Sequence, residues 1–570
     1  MIRSLLGRRL ITVALAAAPV LSAHADIQLI ATANLPATYE DLNNQTAAPL
    51  ENSVAGNRVG GLGSSIAYAG GDNFLMLPDR GPNAVEFASS IDNTVSYINR
   101  FHTFNLRLLP KTPSDALAEN NGSNPKPSPD NLAAPFDVAG LPFILTQTIR
   151  STTLLWSPTP LVYGKGGVFK DDSGNSIGSG APALNAVNHR NYFTGRSDNF
   201  DPTKLSNNPN NARLDPESIK VSNDGRSVFI SDEYGPYVYQ FDRGSGARIR
   251  SFKLPDSFAV ANLGTTTASE AGANGDGTTG SGNTVTVQNT QGRVANKGAE
   301  GLAITPDGRT LAVALQSSLI QDGGTGTLGR FTRIVIIDIP SGRVTGQYAY
   351  PLCDTKVFTV GQTQGCGATI STKPKFAAIS EILAVNNHQF LVDERDGKGF
   401  EGGGSALYKV LNLVDITAPG VQDVSSNTSF LKQDPSSVAL QKTPFLDLVQ
   451  VTKGLLDPSI DIPAKLEGIT FGQDVKVNGQ LKHTLYLSSD NDFLASFETD
   501  PDNATKPNTV LDNPSKIFVF AFDPTDLPTY IPQPLWTENF PDPYSPEDFP
   551  TFLYGPPAFF GGPGPWEFGH

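Results

Sequence analysis

Short apolar runs broken by Gly, Asn-Gly or Asp-Gly recur along most of this chain, and helical periodicity is almost absent. In the clearest copy an acid opens a β-rich run at Glu300–Thr305, Asp307-Gly308 turns the chain, and Leu311–Leu315 returns. Glu217–Val221 turns at Asp224-Gly225 and returns through Val228–Ile230. Glu381–Val385 turns at Asn386-Asn387 and returns as Phe390–Val392. Glu467–Phe471 turns near Asn478-Gly479 and returns as Leu485–Leu487. An earlier copy, Gly61–Tyr68, lacks the acid, turns at Gly70-Gly71 and returns through Phe74–Leu77. Two β-rich runs around such turns predict antiparallel hairpins.

Further alternating strands follow most hairpins, at Tyr237–Asp242, Arg333–Ile339, Leu407–Leu413 and Ile517–Asp523. A repeat of three or four antiparallel strands predicts an all-β fold, a single β-propeller of five or six blades with long loop insertions. A TIM barrel or Rossmann sheet needs helices between its strands, and the pattern offers almost none. The polar stretches Pro110–Pro135 and Ser257–Asn296 are expected as surface loops, and Phe143–Trp156 has room for further strands. Ile27–Ala31 is expected to complete the last blade and so close the ring. Residues 524–570, rich in proline and aromatics, are expected as an irregular tail on a propeller domain of residues 26–523.

The N-terminus changes the picture of where the protein works. Arg3, Arg8 and Arg9 precede the apolar run Leu10–Val20 and the small-x-small site Ala23-His24-Ala25. Residues 1–25 therefore read as a signal peptide, too short in its apolar part to span a membrane, which points to a secreted or periplasmic protein. Removing it leaves 39 of the 42 basic residues against 56 acidic ones, a net charge of −17. Such a surface repels nucleic acid and anionic membrane, and also an anionic substrate unless cations intervene. In an oxidising compartment Cys353 and Cys366 are expected to form a disulfide; they make no CxxC and have no His-rich neighbour, which disfavours zinc.

The candidate chemistry lies in the register of the acids. In a hairpin, residues equidistant from the turn face each other, so the acid opening the first strand meets the acid ending the second. Asp215, Glu217, Glu300, Glu381 and Glu467 are the first-strand acids, and Asp79, Asp232, Glu233, Asp393, Glu394 and Asp490 the second-strand acids. If the first strands line the channel, these carboxylates converge at one mouth, as a solvated acidic rim or around hard divalent cations such as Ca²⁺. Arg80, Arg213, Lys297, Arg395 and Lys465 lie in the same motifs, as anion clamps or as ion-pair partners of the acids. Gly174-Asn175-Ser176-Ile177-Gly178 fits GxSxG but lies in a polar loop, and the histidines are isolated.

Asp79-Arg80-Gly81-Pro82-Asn83, Asp215-Pro216-Glu217-Ser218-Ile219, Asn296–Leu302, Asp393-Glu394-Arg395-Asp396 and Leu466-Glu467-Gly468-Ile469 resemble, in this order, the phytase-like family described as "esterase-like activity of phytase". The resemblance implies a β-propeller and phosphoester hydrolysis. The chain departs from a complete acidic ring at Gly63 and at Gln316. The expected activity is metal-dependent hydrolysis of an anionic phosphoester by a monomer. Glu217, Glu300, Glu381 and Glu467 are expected as ligands or base, and Arg80 and Arg395 as stabilisers of phosphoryl charge. The alternative is a non-catalytic propeller that binds a glycan, a polymer or a protein.

Overall fold

The computed structural model describes residues 27–82, 94–112, 138–163, 180–196, 199–201, 204–260, 289–294, 296–323, 329–360, 366, 370–499 and 506–535. The expected signal peptide and the GxSxG segment lie outside these residues, as do most of the two polar insertions and residues 536–570 of the expected tail.

Four four-stranded antiparallel sheets, and a fifth whose four-strand path is joined by the short strand Val475–Val477, make up the body. Blade one consists of Ser65–Tyr68, Asn73–Leu77, Arg100–Pro110 and Phe143–Leu154. Blade two is Pro216–Val221, Ser227–Asp232, Tyr237–Asp242 and Arg248–Lys253, and blade three is Ala299–Ile304, Thr310–Leu315, Phe331–Asp338 and Arg343–Pro351. Blade four is Ala378–Ala384, Gln389–Arg395, Lys409–Asp415 and Thr443–Asp447. Blade five takes Leu466–Phe471, Gln480–Ser489 and Ser515–Phe522 from the C-terminal side and Gln28–Leu35 from the N-terminus. That last pairing runs from Gln28 opposite Ala521 to Leu35 opposite Ser515, so the expected closing strand is real and longer than Ile27–Ala31. The count is five blades, with the strand anticipated near Phe143 serving as the outer edge of blade one. Helices among the described residues are short, as at Leu184–Asn188 and Leu448–Val451, and none is long and apolar enough to cross a membrane.

Local chemistry accounts for the hairpins. Asn478 and Gly479 both adopt positive φ, 51° and 82°, the pair a tight hairpin turn demands, and Val477 pairs with Gln480 across it. The packing closes the ring. One apolar cluster lies between each pair of neighbouring blades: Phe74 and Phe104 meet Tyr486 and Val519, and Leu75 and Leu77 meet Ile219 and Val228. Phe229 and Val238 meet Leu302 and Val313, Ala303 and Ile334 meet Ile382 and Val392, and Leu383 and Leu391 meet Ile469 and Leu485. Both faces of every inner strand are therefore buried, which is why these strands read as nearly continuous apolar runs. Each buried side chain of this kind contributes about 1.5–3 kcal/mol.

The first strands of the blades pack on one another around the axis. Residues 524–535 cross the face opposite the acidic mouth. Tyr530 packs against Phe471 with ring centroids 4.1 Å apart and planes tilted by 40°, the Ile531 amide donates to the Val385 carbonyl, and Gln533 donates to Val221 and Asn223. Residues 524–535 therefore pack against the propeller.

Candidate functional site

Each acidic first strand carries an irregularity where the acids begin. The pairing skips between Pro216 and Ile219, between Ala299 and Gly301, and between Leu466 and Gly468. In the last two cases the extra residue is Glu300 and Glu467. A bulge re-aims the side chain it carries and bends the strand. One step outward, the Glu233 amide donates to the Asp215 carbonyl, Gln316 to Gly298, and Asp490 to Lys465. First- and second-strand residues thus meet at one mouth.

Two groups of carboxylates converge there. Asp215, Glu217 and Glu233 bring one oxygen each within 4.8 Å of one another, and so do Asp79, Asp490 and Asp492. In the first group Asp215 Oδ1 is sealed from solvent and accepts no hydrogen bond. Arg80 Nη1 reaches Asp215 Oδ2 at 2.5 Å, Glu233 at 3.8 Å and Asn296 Oδ1. In the second group Lys465 bridges Asp490 at 3.0 Å and Asp492 at 2.5 Å. Between the groups, Arg395 Nη2 meets Glu467 Oε1 at 2.5 Å, and Gln316 Nε2 donates to Glu300 Oε1 at 2.8 Å. The other Glu300 oxygen is sealed and unpartnered.

The electrostatics follow from burial and crowding. Burial, then Glu300, Asp215 and Glu233, hold Glu217 well above the usual carboxylate range. Burial raises Glu300 strongly, with Glu233 and Glu467 adding to it, and burial with Asp490 does the same to Asp79. Glu233 is pushed to about 7 by burial and Asp215, and Asp490 to about 7 by burial against the pull of Lys465. Against burial, the Lys465 ammonium keeps Asp492 below its usual value. So many carboxylates under strain point to protons or cations among them.

Other expected site residues lie elsewhere. In blade four the residue left out of the pairing is Ser380, not Glu381, because Ile379 faces Glu394 and Glu381 faces Asp393. This slip places Glu381 on the axis. It accepts from Ser65, Ser218, Lys220 and the Leu302 and Ile382 amides at 2.6–3.0 Å, so it is a hub tying four blades together and not a ligand or base at the mouth. Glu394 turns outward and is consumed by Tyr350, Tyr408, Asn412, Lys442 and the Cys353 amide. Asp232 lies behind the first group, where it accepts from the Asp215 and Tyr234 amides. Asp393 is buried, and one of its oxygens is unpartnered. Arg213 is sealed against Phe200 and Tyr234, while Lys297 is exposed. Ser218 has the Lys220 amine 3.2 Å away, but its hydroxyl is donated to Glu381 in a sealed position.

Two residues were missed. Asp492 joins the second group, and its signal was available in the alternating acids of Asp490-Asn491-Asp492. Glu401 lies on a glycine-rich loop with φ 74°, and burial with Asp492 and Asp490 pushes it to about 8. Only the fold brings it near them.

The pattern of the phytase-like family, "Esterase-like activity of phytase", matches residues 57–493. The chain belongs to this phytase-like family. A phytase-like assignment thus covers all five first-strand hairpins and every residue of the two carboxylate groups. An uncharacterized secreted protein of Arthroderma benhamiae is 28% identical over 397 residues, covering 66% of this chain and 66% of its own length. Among solved structures, the periplasmic gluconolactonase of Pseudomonas aeruginosa aligns at a TM-score of 0.28 and 9% identity over 86% of this chain and 99% of that one. Kuenenia stuttgartiensis hydrazine synthase aligns at 0.25 and 10% over 76% and 78%. Neither alignment bears on the chemistry of the phytase-like site. Cys353 and Cys366 are joined as a disulfide, with Cα atoms 5.1 Å apart.

Proposed function

We propose that this protein is a secreted or periplasmic phosphoester hydrolase that uses a hard divalent cation, Ca²⁺ or a similar ion, held by Asp215, Glu217 and Glu233. The observation that carries this reading is the sealed, donor-less Asp215 Oδ1 inside a group of three converging carboxylates. An unpaired buried carboxylate oxygen is costly and calls for a proton or a cation. An all-oxygen donor set suits Ca²⁺ or Mg²⁺ over softer metals. Asp79, Asp490 and Asp492 offer a second position of the same chemistry. Family membership supports the esterase side of the reading, and the relative named as secreted fits the expected leader.

When bound, such a cation neutralises the acidic mouth and lowers the pKa of a coordinated water. The chain's own groups divide the remaining work. Arg80 and Arg395 bind the oxygens of the anionic substrate. Glu300, with one oxygen held by Gln316 and the other unpartnered, accepts the proton of the attacking water. Glu467 orients Arg395. No Cys or His lies in either carboxylate group, and the hydroxyl of Ser218 is committed to Glu381. The route is therefore direct attack by water without a covalent enzyme intermediate. The partner is a small anionic phosphoester, met by a monomer.

A panel of phosphoesters assayed with chelator-stripped protein tests this. Turnover of at least one member that returns on adding Ca²⁺ is the expected result. Turnover of none, with or without Ca²⁺, overturns the hydrolase and leaves a propeller that binds a glycan, a polymer or a protein.

A further inference from the structure

Blade four departs from its neighbours by one residue, and the slip changes the charge of the mouth. The bulge position holds Glu300 in blade three and Glu467 in blade five, but Ser380 in blade four. Two residues before the bulge, the facing position holds Glu233 in blade two, Gln316 in blade three and Asp490 in blade five. In blade four the same position, opposite Ala378, is Arg395. Both acids that the motif would have sent to the mouth are turned away from it, Glu381 to the axis and Glu394 outward. Where its neighbours present carboxylates, blade four presents a hydroxyl and a guanidinium.

Four contacts make this sector a built feature. Arg395 Nε donates to Ser380 Oγ at 2.7 Å, and Nη2 donates to Glu467 at 2.5 Å. The guanidinium is therefore fixed from two sides, while Nη1 has no hydrogen-bond partner among the described residues and is not sealed from solvent. Gln316 borders the sector from blade three, where its carbonyl accepts from the Ile379 amide and its side chain holds Glu300 without adding charge.

We propose that blade four is the anion-binding sector of the mouth: Arg395, positioned by Ser380 and bordered by neutral Gln316, binds phosphoryl oxygens, while blades one, two and five hold cations. This rests on the cation reading above and adds the orientation of the substrate. A planar fork with a free donor suits phosphate oxygens better than a point charge. Ser380 and Gln316 remove two carboxylates that would repel the same group.

The test is calorimetric titration of the full-length protein with inorganic phosphate, with and without Ca²⁺. The wild type should bind phosphate in Ca²⁺. Arg395→Gln should weaken phosphate at least about tenfold while leaving Ca²⁺ affinity within about threefold. Arg395→Lys and Ser380→Ala should fall between. Because Arg395→Gln leaves Glu467 buried and unpaired, Gln316→Glu serves as the second variant. It should weaken phosphate and tighten Ca²⁺, with the Arg395 pair intact. Phosphate binding unchanged in both Arg395→Gln and Gln316→Glu overturns the proposal, as does a Ca²⁺-loaded wild type that binds no phosphate. If no Ca²⁺ binds but phosphate does, and Arg395→Gln abolishes it, the anion sector stands and the cation reading falls.

Discussion

The Glu381 carboxylate lies 2.7 Å from the Lys220 ammonium, and both are buried on the axis of the propeller. The pair joins blades two and four, and Ser65 and the Leu302 amide add blades one and three. Breaking a buried pair by removing one partner strands the other charge, at about 3–5 kcal/mol. Lys220→Met should cost that much in urea unfolding and leave Ca²⁺ affinity unchanged. A Ca²⁺ affinity that falls in step with stability would return Glu381 to the mouth.

The crowded mouth makes stability depend on pH. Asp232, Glu233 and Asp490 titrate near 7 in the folded chain, mainly through burial, against reference values of 3.8 to 4.5. Folded pKa values above the unfolded ones mean that the native state binds more protons in between. Their stabilisation is complete below about 4, is lost as pH rises through about 7, and stays lost above it. Chelator-stripped protein should therefore melt at a lower temperature at pH 8 than at pH 5. Saturating Ca²⁺ should flatten the profile and, at a hundredfold excess over Kd, add about 2.7 kcal/mol at pH 8. Scanning calorimetry across this range, with and without Ca²⁺, checks both signs. A stripped protein that is more stable at pH 8 than at pH 5 would contradict them.

The disulfide closes a short loop, with a sequence separation of 13, next to the amide that Cys353 donates to Glu394. Loops of this length are worth about 3 kcal/mol when closed. Cys366→Ser should lower unfolding stability by about 2–4 kcal/mol, and adding reductant to the wild type should reproduce the loss. Phosphate and Ca²⁺ binding should survive in both, since neither sulfur is in the mouth.

The turns made the fold legible. Asp224-Gly225, Asp307-Gly308 and Asn478-Gly479 punctuate the chain where two strands must reverse, and this exposed the five inner hairpins. The closing role of the N-terminal strand followed from the need to leave no open edge. The site was less legible because equal distances from a turn mark facing residues only where the pairing is unbroken. The bulges break that count by one residue. In blades three and five the acid is itself the bulged residue and reaches the mouth. In blade four Ser380 takes the bulge, so Glu381 falls to the axis and Arg395 replaces an acid. Neither composition nor apolar periodicity marks a bulge, because the apolar run that follows is the same in every copy. Glu401 was out of reach for another reason: its loop meets the mouth through Phe400, which pairs with Pro463 across the blades.

Glu300 and Glu217 should separate by role. Glu300→Gln removes the proposed proton acceptor at the mouth and should lower phosphoester turnover about a hundredfold or more, with the loss concentrated in kcat. Glu217→Gln should instead raise the Ca²⁺ concentration needed for half-maximal activity, with full rate approached at high Ca²⁺. Steady-state kinetics at several Ca²⁺ concentrations distinguish them. Identical behaviour of the two variants would show that the roles are not divided in this way.

The most direct test of the cation site is isothermal calorimetry of Ca²⁺ into chelator-stripped protein, beside the Glu217→Gln variant at the same pH. The account predicts saturable binding to the wild type and at least about tenfold weaker binding to the variant, with the melting temperature of the wild type rising on Ca²⁺ addition. No binding heat and no shift in melting temperature for the wild type would contradict the cation site at Asp215, Glu217 and Glu233.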